Sequence, residues 1–215
     1  MKLSFVRLVL GPLQNNVYLI GDEETKNAVV IDPSFESEQV LNEAGRQGWT
    51  LRQIWLTHAH FDHVVGVDTI RNAFDPPLPV GMHKDTYTWT QTMAVSKPLG
   101  LPVLVLPEPA FHFYHGQQLP INPGDPNAVV EVRETPGHNP GSVVFYCPAL
   151  EVCFCGDVIF HESIGRTDLP GGDYAQLISS IRQQVFSLPE STTLLPGHGP
   201  QSSVGYERQF NPYLA

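Results

Sequence analysis

The pattern of hydrophobic and polar residues predicts strands that alternate with helices. Apolar runs predict strands near residues 3–9, 15–20, 27–31, 53–56, 79–82, 129–132, 152–155 and 193–195. Apolar residues at helical spacing predict three helices. The first starts near Ser34, which would be its N-cap, and the second spans 64–72. The third begins after Gly171-Gly172-Asp173 and buries one stripe of apolar side chains that ends at Val185. This order of elements predicts an α/β or α+β fold.

Residues 84–127 follow no regular period and leave two interpretations open. Apolar side chains are spread among many prolines in this segment, namely Trp89, Met93, Leu99, Leu101, Leu104 and Leu106. The segment is either a cover over an active site with an apolar lining, or a surface helix and extended stretch that packs on the sheet.

The most informative stretch is Thr-His-Ala-His-Phe-Asp-His at residues 57–63, which follows the apolar run 54–56. Side chains two positions apart on an extended chain share a face, so His58 and His60 can hold one ion together. Asp62 and His63 lie where the chain should turn into a helix, and they cannot easily reach the same ion. The spacing therefore predicts two metal ions side by side, roughly 3.5–4 Å apart as in two-metal hydrolases.

Three more candidate ligands each follow a strand-like run of their own. His138 lies in Thr-Pro-Gly-His-Asn-Pro-Gly-Ser at 135–142, Asp157 follows Gly156, and His198 lies in Pro-Gly-His-Gly at 196–199. A sheet delivers side chains from the ends of several strands to one cleft in this way. Five His and two Asp are enough for two ions that keep a position open for water.

These motifs, together with Val29-Val30-Ile31-Asp32-Pro33, resemble the metallo-β-lactamase superfamily over nearly the whole chain, and most closely its short, single-domain glyoxalase II-like (hydroxyacylglutathione hydrolase-like) members. The resemblance implies one domain over residues 1–215, built as a four-layer αββα sandwich, with Asp32 supporting the site from behind the ligands. It also implies the ligand sets: His58, His60 and His138 for one ion, Asp62, His63 and His198 for the other, and Asp157 as the bridge. Asp62 and Asp157 are then the carboxylates at the reacting centre.

The ligand chemistry and the resemblance together predict a dinuclear-metal hydrolase that cleaves thioesters through a metal-bridging hydroxide. A water between two divalent ions loses a proton near neutral pH, and the leaving thiolate of a thioester needs little protonation. The expected substrate is S-D-lactoylglutathione or a related acyl-thiol. We expect two divalent ions, zinc first, with iron and manganese as alternatives, because His and Asp suit all three.

Arg166 stands at a position where glyoxalase II enzymes have a basic residue that touches glutathione, which predicts that it pairs with a substrate carboxylate. The alternative is a structural ion pair with a nearby acid. Asp168 stands where the family has a tyrosine. The few residues after His198 also lead us to expect no C-terminal helical glutathione-binding domain.

Two other functions stay open. Gly165-Arg166-Thr167-Asp168 also resembles persulfide dioxygenases of the same superfamily, whose single iron would be held here by His58, His138 and Asp157. The second is a scaffold that binds metal without catalysis. A lactonase or β-lactamase fits less well, because common class B β-lactamases use a cysteine in the region that Asp157 occupies.

Composition narrows the range of partners. The net charge of −10 argues against nucleic acid, which requires a basic surface. No apolar run is long enough to cross a membrane, and Arg7 interrupts the first strand where a signal peptide would be apolar. Cys147, Cys153 and Cys155 are expected as buried free thiols of a reducing compartment. We therefore expect a cytoplasmic monomer or small homo-oligomer acting on a small-molecule thioester.

Overall fold

Two six-stranded sheets form the centre of the molecule, in a computed structural model that describes residues 3–92 and 105–214. The strands of the first sheet follow one another in chain order, β1 (Leu3–Leu10), β2 (Asn15–Asp22), β3 (Asn27–Ile31), β4 (Thr50–Trp55), β5 (Val80–His83) and β6 (Phe111–Phe113). The first three strands are antiparallel, and the pairs from β3 to β6 are parallel. Loops that leave the parallel strands therefore emerge at one edge of this sheet.

The second sheet has the order β14-β13-β10-β9-β8-β7. Its strands are β7 (Gln118–Pro120), β8 (Val129–Glu134), β9 (Val143–Cys147), β10 (Val152–Gly156), β13 (Thr193–Pro196) and β14 (Ser202–Ser203). The neighbours β10 and β13 are parallel, whereas the other pairs are antiparallel. A separate short hairpin joins β11 (Ile159–Phe160) to β12 (Ser163–Ile164).

Helices cover the outer face of each sheet. They are α1 (Glu38–Gln47), α2 (Phe61–Val64), α3 (Val67–Arg71), α4 (Lys84–Thr92), α5 (Tyr174–Ser180), which continues as a π-helical turn over Ile181–Val185, and α6 (Val204–Phe210). Asp173 caps α5 by accepting a hydrogen bond from the backbone N–H of Gln176, as expected for an acidic N-cap. Of the predicted stripe, Leu177, Ile181 and Val185 are fully buried, but Tyr174 is exposed.

Three hydrophobic cores separate four layers. One core lies between the two sheets, with Trp55, Phe113 and Phe145 in mutual ring contact. A second core joins the first sheet to α1, α3 and α4, and a third joins the second sheet to α5 and α6. Helix, sheet, sheet and helix follow in this order, so the predicted αββα sandwich is confirmed.

Two predicted helix boundaries are wrong. The first helix begins at Glu38 with Ser37 in the cap position, because the chain turns sharply at Asp32, whose φ is 52°, and Ser34 is buried in this turn. The helix predicted at 64–72 starts earlier, at Phe61, and is interrupted at Gly66. There the Gly66 N–H donates to Pro33 O at 3.0 Å instead of continuing the helix.

The structure describes part of the segment 84–127. Residues 84–92 form α4, which buries Trp89 against the first sheet, and Leu106 joins the same core. Met93, Leu99, Leu101 and Leu104 lie outside the described residues, so the cover over the active site stays a prediction.

The three cysteines are buried and free, as predicted. Cys147 packs between the sheets, whereas Cys153 and Cys155 pack under the α5 layer. Within residues 3–92 and 105–214, no helix combines the length and the apolar character that crossing a membrane requires.

Candidate metal centre

The fold brings all seven predicted ligands to one edge of the sandwich. Each lies in the loop or helix that directly follows a strand, namely β4 for the 58–63 cluster, β8 for His138, β10 for Asp157 and β13 for His198. Their donor atoms fall into two groups, each with its atoms within 4.8 Å of one another. The first group is His58, His60, His138 and Asp157, and the second group is Asp62, His63 and His198. These His and Asp clusters are suited to binding a dinuclear metal site.

Asp157 lies between the two groups. Its Oδ1 is 3.3 Å from Nε2 of His63, in the second group. Its Oδ2 is 3.7 Å from Nε2 of His138, in the first group, and 3.7 Å from Nε2 of His198. One carboxylate thus faces both groups, as the predicted bridging role requires.

Hydrogen bonds at the outer ring nitrogen orient four of the five histidines. Their Nδ1 atoms pair with fixed partners: His58 with Thr57 Oγ1 at 2.9 Å, His63 with Asp32 Oδ2 at 3.1 Å, His138 with Arg166 O at 2.7 Å and His198 with Leu13 O at 3.0 Å. A carbonyl or carboxylate partner requires that Nδ1 carry a proton, so Nε2 is the nitrogen that faces inward and can bind a metal ion when it is unprotonated. Metal-binding histidines are usually held in this manner.

The inward nitrogens of the first group have no hydrogen-bond partner among the described residues. Nε2 of His58, His60 and His138 is buried and unpaired. Leaving a buried polar atom without a partner costs about 1–3 kcal/mol, so proteins rarely tolerate three such atoms side by side. A cation at this point would satisfy all three, and the residues present therefore fit a metal ion.

Asp32 lies behind the ligands and holds two of them in place. It accepts hydrogen bonds from Thr57 N at 2.8 Å, Thr57 Oγ1 at 2.5 Å and His63 Nδ1 at 3.1 Å. Asp32, His58 and His63 also lie close enough to form a third possible ligand group. We assign Asp32 to support instead, because it bonds to the outer nitrogen of His63, whose Nε2 faces Asp157 and the other ligands.

The two groups differ in how they hold protons. Burial and the neighbouring histidines lower the pKa of His58 well below its ordinary value, and burial and His138 lower the pKa of His60 to about 3. Burial lowers the pKa of His63 and His198 as well, but neighbouring carboxylates outweigh it. Asp157 and Asp32 raise the pKa of His63, and Asp62 and Asp157 raise the pKa of His198. The histidines of the first group therefore lose their protons more readily, whereas those of the second group must release protons before they bind a cation.

The two ligand carboxylates stay ionised. Burial alone would raise the pKa of Asp157, but His63, His138 and His198 outweigh it and lower the pKa to about 2. The pKa of Asp62 is lowered further still, since the hydrogen bond to His198 and the charge of His63 overcome its burial. Both side chains are thus anionic acceptors at neutral pH.

Arg166 makes a different contact from the one predicted. Its guanidinium forms two hydrogen bonds to the carboxylate of Asp168, at 2.8 and 2.7 Å, and both side chains are exposed. This is the structural ion pair that the sequence left open as an alternative, although an exposed pair of this kind contributes little stability. Pairing of Arg166 with a substrate carboxylate stays a prediction.

Two side chains of the site were not found from the sequence. Thr57 links Asp32 to His58. Asn15, the first residue of β2, donates from Nδ2 to Asp62 Oδ2 at 2.7 Å. Thr57 could have been noticed, because a hydroxyl next to a ligand is a common support. Asn15 gives no such signal, since its contact with Asp62 spans 47 residues.

The αββα fold and a cleft of His and Asp at the strand ends define a class of metal-binding enzymes. A family model described as the metallo-beta-lactamase superfamily matches residues 10–198, and the chain belongs to this superfamily.

Two curated relatives align with almost all of the chain. A probable metallo-hydrolase, YqgX of Bacillus subtilis, is 37% identical over 211 residues, which is 97% of this chain and 96% of the relative. The hydroxyacylglutathione hydrolase GloC of Haemophilus influenzae is 34% identical over 203 residues, covering 94% and 93% of the two chains.

Solved structures give the same picture of the fold. BLEG-1, described as a B3 metallo-beta-lactamase, superposes with a TM-score of 0.89 at 37% identity, over 99% of this chain and all of that one. TTHA1623 in a di-iron-bound form superposes with a TM-score of 0.84, also at 37% identity, over 97% and 100%. Relatives with this degree of identity thus carry names that imply different substrates.

Proposed function

We propose that this protein is a dinuclear-metal hydrolase that cleaves thioesters, with S-D-lactoylglutathione or a related acyl-thiol as substrate. The convergence of five histidines and two aspartates into two adjoining groups supports a two-metal hydrolase. The relative named hydroxyacylglutathione hydrolase supports the thioester substrate. The exposed polar surface at Arg166 is the candidate contact for the carboxylates of the thiol carrier.

The two groups would each hold one divalent ion, with Asp157 shared between them. When bound, such ions supply a Lewis acid and lower the pKa of water so that it becomes a nucleophile near neutral pH. We expect zinc, and the di-iron form of TTHA1623 keeps iron as an alternative.

The chain's own residues set the geometry of the reaction. In thioester hydrolysis, water adds to the acyl carbon, the C–S bond breaks, and the products are a carboxylic acid and a free thiol. Asp62 and Asp157 would hold the ions as anionic ligands, and water would be the nucleophile, without a covalent bond between a side chain and the substrate. The rings of Trp89, 5.7 Å from that of His60, and Phe160, 6.3 Å from that of His198, provide apolar surface beside the two groups.

A second candidate activity is the hydrolysis of β-lactams. It is favoured by the 37% identity to a protein described as a B3 metallo-beta-lactamase. The common class B enzymes have a cysteine ligand where this chain has Asp157, but that difference concerns those enzymes and leaves β-lactam hydrolysis open as an activity. A lactam amide has a poorer leaving group than a thioester, so an enzyme built for lactams needs a proton donor at the nitrogen. The same metal site could serve both reactions.

The test is a comparison of substrates on metal-quantified protein. S-D-lactoylglutathione, a chromogenic cephalosporin and glutathione persulfide would be assayed in parallel, with oxygen uptake followed throughout. We expect thiol release from the thioester without oxygen uptake. Preference for the cephalosporin would establish the second candidate, and oxygen uptake with persulfide on one iron would replace both with the dioxygenase.

A matched pair of variants shows whether the activity comes from this site. Asp157→Ala removes the shared carboxylate and should abolish thiol release and metal retention. Asp68→Ala removes an exposed carboxylate on α3 and should change neither. Full activity in Asp157→Ala would refute the assignment of the site.

A further inference from the structure

The turn after β1 and the first two residues of β2, residues 11–16, contact the loop that carries His198. The Asn16 N–H donates to Gly197 O at 2.7 Å, and Asn15 and His198 form an isolated β-bridge. Leu13 O lies 3.0 Å from His198 Nδ1 and holds that ring in place. An element remote in sequence thus forms one wall of the second metal group.

Asn15, the first residue of β2, projects into the group. Its side chain is 1% exposed, and its Nδ2 lies 2.7 Å from Asp62 Oδ2 and 3.4 Å from His198 Nε2. Asp62 Oδ2 itself lies 3.2 Å from His198 Nε2 and 3.5 Å from His63 Nε2. The amide therefore contacts the same carboxylate oxygen that faces the predicted ion.

The other end of the amide is the second observation. Asn15 Oδ1 is buried and has no hydrogen-bond partner among the described residues. Burying an unpaired amide oxygen costs free energy, and a purely structural residue would avoid that cost. Asn15 therefore keeps its donor on Asp62 although its acceptor stays unpaired.

We propose that Asn15 is a positioning residue for the second metal group, fixing the Asp62 carboxylate for its ion. The proposal rests on the two-ion site proposed above. A carboxylate oxygen has room for a metal ion and one further donor, and a neutral amide supplies that donor without a positive charge that would repel the ion.

The test compares two buried asparagines. Asn15→Leu removes the amide at nearly constant volume. Asn211→Leu is the matched control, because Asn211 is equally buried and its side chain bonds to Ser163, Glu207 and Tyr213, none of which is a predicted ligand. Cobalt(II) would be titrated into metal-free wild type and both variants, with the two binding steps followed by calorimetry and by the visible absorption spectrum.

We expect Asn15→Leu to weaken the second cobalt-binding step by about 10–100-fold and to change its spectrum, with the first step unaltered, as is usual when the support of a ligand is lost. Asn211→Leu should keep both steps. Equal weakening in the two variants would overturn the proposal, since the loss of any buried amide, and not the contact with Asp62, would then account for the effect. Unchanged binding in Asn15→Leu would overturn it as well.

Two further controls separate the possible failures. If Asn15→Leu does not fold, Asn15→Ser keeps a small polar side chain that is too short to reach Asp62, and the same weakening is expected. If wild type takes up two cobalt ions and Asn15→Leu is unaffected, the proposal for Asn15 fails alone. If wild type takes up fewer than two, the two-ion site fails, and the role of Asn15 with it.

Discussion

At the scale of single residues, the site depends on side chains behind the ligands. Thr57 bonds both to Asp32 and to His58, and Asp32 also bonds to His63, so one buried network supports ligands of both groups. The ligands themselves were predictable, because His and Asp at strand ends have a recognisable spacing. The side chains that hold the ligands in place were mostly not predictable, because threonine and asparagine occur at many positions that have no contact with a metal ligand.

Thr57→Val should weaken metal binding at the first group by about 10–100-fold, because His58 loses the partner of its Nδ1. It should also lower the free energy of unfolding by about 1–3 kcal/mol, since Asp32 loses a buried donor.

Thr192→Val is the control. Thr192 is equally buried, and its hydroxyl has no partner among the described residues, so this change should leave metal binding unaltered and should not lower the free energy of unfolding. Metal titration and denaturant unfolding measure both, and similar effects of the two variants would contradict the role of Thr57.

The second ion should bind with the release of protons. In the metal-free protein the pKa values of His63 and His198 are raised, so these side chains hold protons that a cation must displace. The pKa values of His58, His60 and His138 are lowered, so the first group has no such competition. Affinity for the second ion should therefore fall more steeply than affinity for the first as the pH decreases.

Calorimetry in buffers with different ionisation enthalpies, at about pH 6 and about pH 8, counts the protons released at each step. Proton release confined to the first binding step would contradict this assignment.

At the scale of elements, eight strands were predictable, whereas the other strands and the helix boundaries around the site were not. Apolar runs found β1 to β5 and the strands before His138, Asp157 and His198, but the sequence analysis did not predict β6, β7, β9, β11, β12 or β14. The helix after His60 was misplaced because its start and its interruption depend on a tertiary contact: the loop after β3 packs against Gly66. No local signal in the sequence records that contact.

Gly66 should tolerate no side chain. A Cβ there would lie 2.2 Å from Ser34 O, although its φ of −88° is open to any residue, so the cost is steric alone. Gly66→Ala should lower the free energy of unfolding by about 1–3 kcal/mol or more and displace α2 with its ligands Asp62 and His63. Gly45→Ala is the control within α1, where a Cβ meets nothing within 4 Å. It should raise stability by about 0.5–1 kcal/mol. Chemical denaturation of both variants measures their free energies of unfolding. Equal destabilisation of the two variants would refute the packing argument.

At the scale of the whole molecule, the metal centre joins the two sheets. The first sheet provides the 58–63 cluster, and the second provides His138, Asp157 and His198. The αββα arrangement was inferred from a family resemblance, since periodicity alone could not decide how two sheets stack. Contacts between sheets are made by residues far apart in the chain, and a single sequence does not show them.

Metal removal should therefore lower the stability of the entire fold. An ion that binds only the folded state contributes about 2.7 kcal/mol when its concentration is 100 times its Kd. The melting temperature of the metal-loaded protein should fall on chelation and recover when metal is restored. Asp157→Ala, which lacks the shared carboxylate, should respond far less to chelation. A melting temperature that is indifferent to chelator in the wild-type protein would argue that the ions do not join the sheets.

The most direct test of the whole account is the number of metal ions bound per chain. Protein reconstituted with zinc and freed of excess metal would be analysed for metal and protein content, beside Asp157→Ala treated in the same way. The account predicts two ions per chain in the wild-type protein and the loss of both in the variant. One ion or fewer in the wild-type protein would contradict the two-ion site, and with it the proposed mechanism of hydrolysis.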